Sequence, residues 1–182
     1  MNDQVDLHVL SQALRSAVRD VPDFPKPGIL FRDITPVLLH PNLFLGSTRA
    51  MAEPFRGQGV NRVLAIESRG FLFGAPVAQE LGAGLVPVRK PGKLPAARQR
   101  VDYALEYGTD ALEMHADAIE AGDVVLIVDD VLATGGTAAA AVDLVRGRGA
   151  ELGGLSFLIE LDGLSGRGRL GSARVEALIH YA

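Results

Sequence analysis

The stretch Val124–Thr137, VVLIVDDVLATGGT, passes from apolar to acidic to glycine-rich within fourteen residues. Val124–Val128 is an unbroken, mostly β-branched apolar run, the pattern of a parallel strand covered on both faces. Asp129 and Asp130 then set two carboxylates at that strand's carboxyl end, where open α/β sheets bind their ligands. Ala133, Thr134, Gly135, Gly136 and Thr137 follow as a loop of small residues. The glycines permit close backbone approach and positive φ, and the threonines add hydroxyls at the start of a helix expected over Ala138–Arg146. Amides, hydroxyls and a helix dipole make a cradle for an anion. Because the adjacent carboxylates would repel a bare phosphate, the ligand that fits both halves is a sugar phosphate. Its hydroxyls donate to Asp129 and Asp130, and its phosphate sits in the loop.

Other nucleotide-binding patterns do not fit. No G-x-x-x-x-G-K-[ST] string is present, so no lysine reaches β- and γ-phosphates from this loop. G-x-G-x-x-G is missing after this strand, and the acidic pair precedes the glycines instead of following them by about twenty residues. An ordinary polar turn with a helix cap would need neither paired carboxylates nor two threonines flanking two glycines.

Composition narrows the classes. The 182 residues suit one domain, and 48% hydrophobic residues supply its core. A net charge of -4 without long basic runs argues against a nucleic-acid partner. With no cysteine there is no disulfide framework, thiolate zinc site or thiol nucleophile, which suits a reducing, cytoplasmic setting. MNDQVDLHVL at the start has acids early and no basic-then-apolar order, so neither a secretory signal nor a membrane span is expected. His8, His40, His115 and His180 are scattered and read as surface or packing residues, with no dedicated metal site.

Working outward, Val5–Val18 reads as an amphipathic helix, ended by PDFPKPG at Pro22–Gly28, which reads as an ordered loop or small lobe. Leu43–Arg56 reads as helix, Arg62–Ile66 as strand, Gly74–Leu81 as helix and Gly84–Val88 as strand. Val101–Glu106 and Ala111–Met114 are expected to be extended around Tyr107-Gly108, and Gly154–Ile159 is a further strand. This βα alternation predicts an α/β fold, a mainly parallel central sheet flanked by helices, in a single domain spanning 1–182. Within it, a small N-terminal appendage covers about 1–36 and a core about 37–182.

Two more loops follow strands. Glu67-Ser68-Arg69-Gly70 offers the Ser68 and Gly70 amides and a guanidinium fork that matches phosphate oxygens. Arg89-Lys90-Pro91-Gly92-Lys93 sets three cations around a Pro-Gly turn, as a mobile basic flap would. Either loop alone could be a solvated turn. Three anion-friendly loops after three strands point to one ligand with several phosphates. A sugar with one phosphate in the cradle and a pyrophosphate between Arg69 and the flap, 5-phosphoribosyl-1-pyrophosphate, accounts for all three.

Assembled this way, the chain resembles the type I phosphoribosyltransferases, and among them the adenine-specific members, over nearly its whole length. VLIVDDVLATGGT is similar to the family's phosphoribosylpyrophosphate signature and FPKPGILFRDITPVL to its N-terminal hood. ESRGFLFGAPVAQELG and VPVRKPGKLP are similar to its pyrophosphate loop and flexible flap, and LEYG to the segment that carries its catalytic glutamate. AARQRVD at 96–102 departs from the usual wording of the flap. Relatives acting on 6-oxopurines have an aspartate just before the cradle threonine, where this chain has Ala133, whose methyl group handles no proton.

The resemblance implies transfer of phosphoribosyl to adenine N9, giving AMP and pyrophosphate in purine salvage. It implies binding of the phosphoribosyl moiety at Asp129, Asp130 and Ala133–Thr137, and of pyrophosphate at Glu67, Ser68, Arg69, Gly70, Arg89, Lys90 and Lys93. Glu106 is the implied catalytic residue, with Tyr107 beside it in the flap, and Leu30, Phe31 and Arg32 are the implied adenine contacts. Mg2+ would be held through substrate oxygens, and a cytoplasmic homodimer is expected. The rival readings are a regulator that senses phosphoribosylpyrophosphate without turnover and a transferase for another purine base. The lack of a basic face and the intact LEYG segment favour the enzyme, and Ala133 and the hood wording favour adenine.

Overall fold

In the computed structural model, which describes residues 6–104 and 109–182, the apolar run at 124–128 is the middle strand of a five-stranded sheet. The described chain divides into two compact units, Met1–Ala50 and Met51–Ala182.

In the first unit, helix α1 (Leu7–Ala17) is capped by the Asp6 carboxylate, which accepts from the His8 amide at 3.0 Å and the Val9 amide at 3.3 Å. Its Leu10 and Leu14 are buried. The loop expected at Pro22–Gly28 is flanked by two strands that were not foreseen, β1 (Arg19–Pro22) and β2 (Leu30–Asp33), which form an antiparallel pair with Val21 opposite Phe31. The prolines of PDFPKPG lie in or next to the connection, where no ladder hydrogen bond is lost. Helix α2 (Thr35–Leu39) follows, with Pro36 in its first turn, and helix α3 (Pro41–Ala52) begins on a proline. The expected helix over 43–56 thus starts two residues earlier, and it tightens into a 3₁₀ turn at Glu53–Phe55, where Pro54 cannot donate back.

The second unit holds the sheet. Strands β3 (Arg62–Ile66), β4 (Gly84–Val88), β7 (Val124–Leu132), β8 (Glu151–Leu161) and β9 (Val175–Tyr181) run parallel in the order β4-β3-β7-β8-β9. Strand β9 was not foreseen. Strands β5 (Arg98–Ala104) and β6 (Thr109–His115) form a separate antiparallel pair centred where the sequence suggested. Helix α4 (Gly70–Leu81) starts four residues before the expected Gly74. The Phe71 and Leu72 amides already turn back to the Ser68 and Arg69 carbonyls at 3.2 and 3.1 Å. Helix α5 (Gly136–Arg146) likewise begins inside the glycine pair.

The core lies between the sheet and its helices. Val125, Leu126, Ile127 and Val128 are fully buried, as a strand covered on both faces requires. Helix α4 turns Gly70, Phe73, Gly74, Val77 and Ala78 inward, one stripe at helical spacing. At Gly74 the helix lies so close to β3 that an added Cβ would stand 2.4 Å from the Ala65 Cβ. Gly74→Ala is expected to lower unfolding stability by about 1–3 kcal/mol, the usual cost of overpacking. Chemical denaturation checks this, and an unchanged midpoint would mean that the helix can retreat from the sheet freely.

Candidate active site

Strand β7 outruns one of its neighbours. Its pairing with β3 ends at Ala65 opposite Val128, while pairing with β8 continues through Val131 opposite Ile159 and Leu132 opposite Glu160. Asp129 and Asp130 therefore lie within the strand, not after it as the sequence suggested, at the point where the sheet opens on the β3 side. Asp130 is buried, and its amide donates to Asp129 Oδ1 at 2.9 Å. The start of α4 closes on the same carboxylate: a Cβ at Gly70 would stand 2.7 Å from Asp129 Oδ1 and 3.0 Å from the Val128 carbonyl oxygen.

The loop before α4 reaches across to the second carboxylate. Arg69 Nε lies 2.8 Å from Asp130 Oδ2, a buried oxygen with no aligned hydrogen bond. Burial pushes both carboxyls above the usual aspartate range. The neighbouring Asp130 charge raises Asp129 further, whereas Arg69 pulls Asp130 back. Two adjacent acids, one buried and one half-buried, are an electrostatic cost that a ligand's hydroxyl donors or a cation would relieve.

Downstream, Ala133–Thr137 wraps into α5. Gly135 takes the left-handed conformation, φ 78°, and caps the helix, whose Ala139 amide donates to the Gly135 carbonyl at 2.9 Å. The Thr137 hydroxyl donates to Tyr103 on β5 at 3.3 Å. Backbone amides at a helix start, left-handed glycine and hydroxyl together suit a phosphate.

Acids hold the basic loop. Glu67 accepts from the Lys90 amide at 2.9 Å, from Arg89 Nε at 3.3 Å and from the Lys93 ammonium. Burial pushes the Glu67 carboxyl up, but Lys93, the Lys90 amide and Arg89 outweigh it and leave it below the usual range. The Lys90 ammonium pairs with Asp110 and donates to Tyr103 Oη at 2.9 Å. Burial opposes its charge, yet Asp110 and Tyr103 hold its pKa above that of an ordinary lysine. Beneath the turn, buried Glu113 accepts from the Gly92 amide at 3.0 Å and faces Arg98 Nε at 3.2 Å, while the Arg89 and Glu113 backbones exchange hydrogen bonds of 2.8 Å. The Glu67–Ser68 peptide is cis.

The second unit thus collects Glu67, Ser68, Arg69, Gly70, Arg89, Lys90, Lys93, Asp129, Asp130 and Ala133–Thr137. Leu30, Phe31 and Arg32 lie in the first unit on β2, where Phe31 meets Phe24 edge-on at 5.1 Å and Arg32 pairs with Asp20. Glu106 and Tyr107 fall outside the described residues. Tyr103, Asp110 and Glu113 were missed. The first two sit opposite one another in the β5–β6 register, which only the pairing of the two extended segments discloses. Asp129 and Asp130 fit a divalent cation that keeps its waters and substrate oxygens. Among the described residues, the one cluster of three potential ligands is Glu160, Asp162 and His180, brought together by the ends of β8 and β9.

With this geometry in view, the relatives are informative. The family model for the phosphoribosyl transferase domain matches residues 35–169. The chain is similar to the adenine phosphoribosyltransferase of Acaryochloris marina, 56% identical over 168 residues that make up 92% of this chain and 99% of that protein. The crystal structure of adenine phosphoribosyltransferase from Rhodothermus marinus superposes with a TM-score of 0.92 at 53% identity, over 96% of this chain and 99% of the other. That of the Saccharomyces cerevisiae enzyme, complexed with an imino-altritol bisphosphate and adenine, superposes at 0.88 and 43% identity, over 94% and 99%.

The raised carboxyls carry a stability consequence. A carboxyl whose pKa is higher folded than unfolded stabilises the fold below its unfolded value, about 3.9, and that contribution is lost as pH rises through the folded value. Asp129→Asn is therefore expected to stabilise the ligand-free protein at pH 8 by about 1 kcal/mol, or roughly 2–4 °C in a chain of this size. The gap should close on acidification towards pH 4, as thermal unfolding across pH would record; a variant less stable than the parent at pH 8 would contradict it.

Proposed function

This chain belongs to the phosphoribosyltransferase family, among its adenine phosphoribosyltransferases, and on that premise we propose how its residues carry the 5-phosphoribosyl group from 5-phosphoribosyl-1-pyrophosphate to adenine N9. The products are AMP and pyrophosphate, in purine salvage. The observation that best supports the assignment of roles is Arg69 at 2.8 Å from Asp130, because it sets the pyrophosphate loop against the sugar-binding carboxylates.

Asp129 and Asp130 accept the ribose 2- and 3-hydroxyls, and the 5-phosphate takes the amides and hydroxyls of Ala133–Thr137. Arg69, Arg89, Lys90 and Lys93 receive the pyrophosphate, with the Ser68 and Gly70 amides beside them. To do so the flap cations exchange Glu67 and Asp110 for phosphate oxygens, so the acids keep the basic loop neutralised until substrate arrives. As the C1–pyrophosphate bond breaks ahead of attack by N9, positive charge develops on the ribose. The protein acts mainly by positioning and by balancing charge. Magnesium, when bound, neutralises pyrophosphate oxygens and retains several waters.

Ala133 leaves the position before Thr134 without acid or base, so proton handling at adenine N7 falls to Glu106. Leu30, Phe31 and Arg32 select the base through backbone pairing and apolar stacking. The proposal extends to a homodimer in the cytoplasm; no described helix is long and apolar enough to cross a membrane.

Protein supplied with magnesium and phosphoribosylpyrophosphate is expected to form AMP and pyrophosphate with adenine and to leave hypoxanthine, guanine and orotate unreacted. Comparable turnover of hypoxanthine would overturn the base assignment, and binding without any turnover would favour a sensor. Glu106→Gln is expected to lower kcat by roughly 10²-fold. Wild-type rates in both Glu106→Gln and Glu106→Leu would remove that residue from the chemistry.

A further inference from the structure

The cradle has a back wall outside the motifs read from the sequence. After β8, the chain makes two short 3₁₀ turns, Asp162–Leu164 and Gly166–Leu170, and the second lies directly against the loop at 133–136. The contact is backbone on backbone. A Cβ at Gly166 would stand 2.1 Å from the Ala133 carbonyl oxygen and 2.9 Å from the Gly135 amide nitrogen; one at Gly135 would stand 2.3 Å from the Gly166 carbonyl oxygen. Neither position has room for a single carbon, and what would have to yield is main chain. By contrast, nothing lies within 4 Å of a Cβ added at Gly168, two residues on.

Gly166 is also fixed from its other side. The Arg167 guanidinium donates Nε to Glu160 Oε1 at 3.0 Å and Nη2 to Glu160 Oε2, and Nη1 to the Val175 carbonyl at 2.8 Å. Glu160 is buried on β8 directly opposite Leu132, the residue before Ala133. Val175 opens β9. The guanidinium fork therefore fastens the turn to the two strands beyond β7, at Glu160 level with Leu132 and at Val175 where β9 begins.

We infer that Gly166, held by the Arg167–Glu160 pair, is a positioning residue for the 5-phosphate: it sets the curvature of Ala133–Gly136 and so the direction of the amides that receive the phosphate. Amides aimed in advance bind an anion without first being reordered, and a loop displaced by a few tenths of an ångström loses hydrogen bonds that depend on angle. Gly166 meets the backbone of Ala133 and Gly135. Its loss should appear in the affinity for phosphoribosyl ligands and leave the affinity for adenine alone. The inference rests on the reading that this loop takes a phosphate.

The test compares Gly166→Ala, Gly168→Ala and Arg167→Lys with the parent protein in two assays. Calorimetric binding of ribose 5-phosphate needs no turnover; steady-state kinetics separate KM for phosphoribosylpyrophosphate from KM for adenine. Gly166→Ala is expected to weaken ribose 5-phosphate binding and raise KM for phosphoribosylpyrophosphate tenfold or more, with KM for adenine within twofold. Arg167→Lys, which keeps one arm of the ion pair and adds nothing to the loop, should show the same split at threefold or more, and Gly168→Ala should match the parent. If Gly166→Ala does not fold, Arg167→Lys decides. A folded Gly166→Ala with parental affinity, an equal rise in both KM values, or a parent that binds no ribose 5-phosphate overturns the inference. Ribose 5-phosphate binding in a parent that makes no AMP would instead sink the catalytic assignment and leave the brace standing on its binding arm.

Discussion

At Val128 the middle strand of the sheet loses one hydrogen-bonded neighbour and keeps the other. Everything chemical in the second unit depends on that asymmetry. If β3 and β7 ended together, Asp129 and Asp130 would belong to an ordinary loop whose backbone could take many paths. Because β8 carries β7 four residues further, the two acids are held on a rigid ladder while one edge of that ladder has no strand partner. The loop that follows inherits a fixed origin, and the loop after β3 turns straight into α4 with Gly70 seated against Asp129. Parallel sheets bind ligands at such places because strands that end unequally leave a crevice between their carboxyl ends.

The charges around the site follow a second pattern. Cations that would meet phosphates are already paired: Arg69 with Asp130, Lys93 and Arg89 with Glu67, Lys90 with Asp110. Partial burial makes an unpaired lysine or arginine costly, so the acids allow a basic loop to exist in an acidic chain without ligand. The two aspartates are the exception. They stand together with a single arginine between them and carry the strain of burial as raised pKa values. The site thus satisfies its positive half internally and leaves its negative half in need of donors, which a sugar's hydroxyls and a hydrated divalent cation can supply.

Much of this was legible in the sequence where the signal was local. Five apolar residues followed by DD and TGGT specify strand, carboxylates and cradle because each step uses residue types that few other structures require. The order of strands and helices was legible for the same reason, apart from ends. Hidden features are those made by contact between distant segments. Strand β9, VEALIHY, alternates poorly because it lies at the sheet's edge with a mixed face. Glu67 looked like one more residue of an anion loop, since nothing local says that Arg89 and Lys93 close upon it. Gly166 stands in a run of glycines and arginines that reads as plain surface, and its role exists only through residues some thirty positions earlier. The β1–β2 pair was obscured by prolines that sit in or next to its connection.

One consequence of the strand order concerns how the molecule comes into being. The two acids lie on β7 and the loop that meets them follows β3, and the first paired residues of these strands, Arg62 and Val125, are separated by 63 positions. Closing a chain segment of that length costs entropy before any contact rewards it, and such distant parallel pairings form slowly. Until β3 lies beside β7 there is no crevice, and no partly assembled form can hold the ligand. On the proposed reading, phosphoribosylpyrophosphate would recognise only the finished sheet, and its binding would draw the population towards the native state by mass action without guiding the earlier steps of folding.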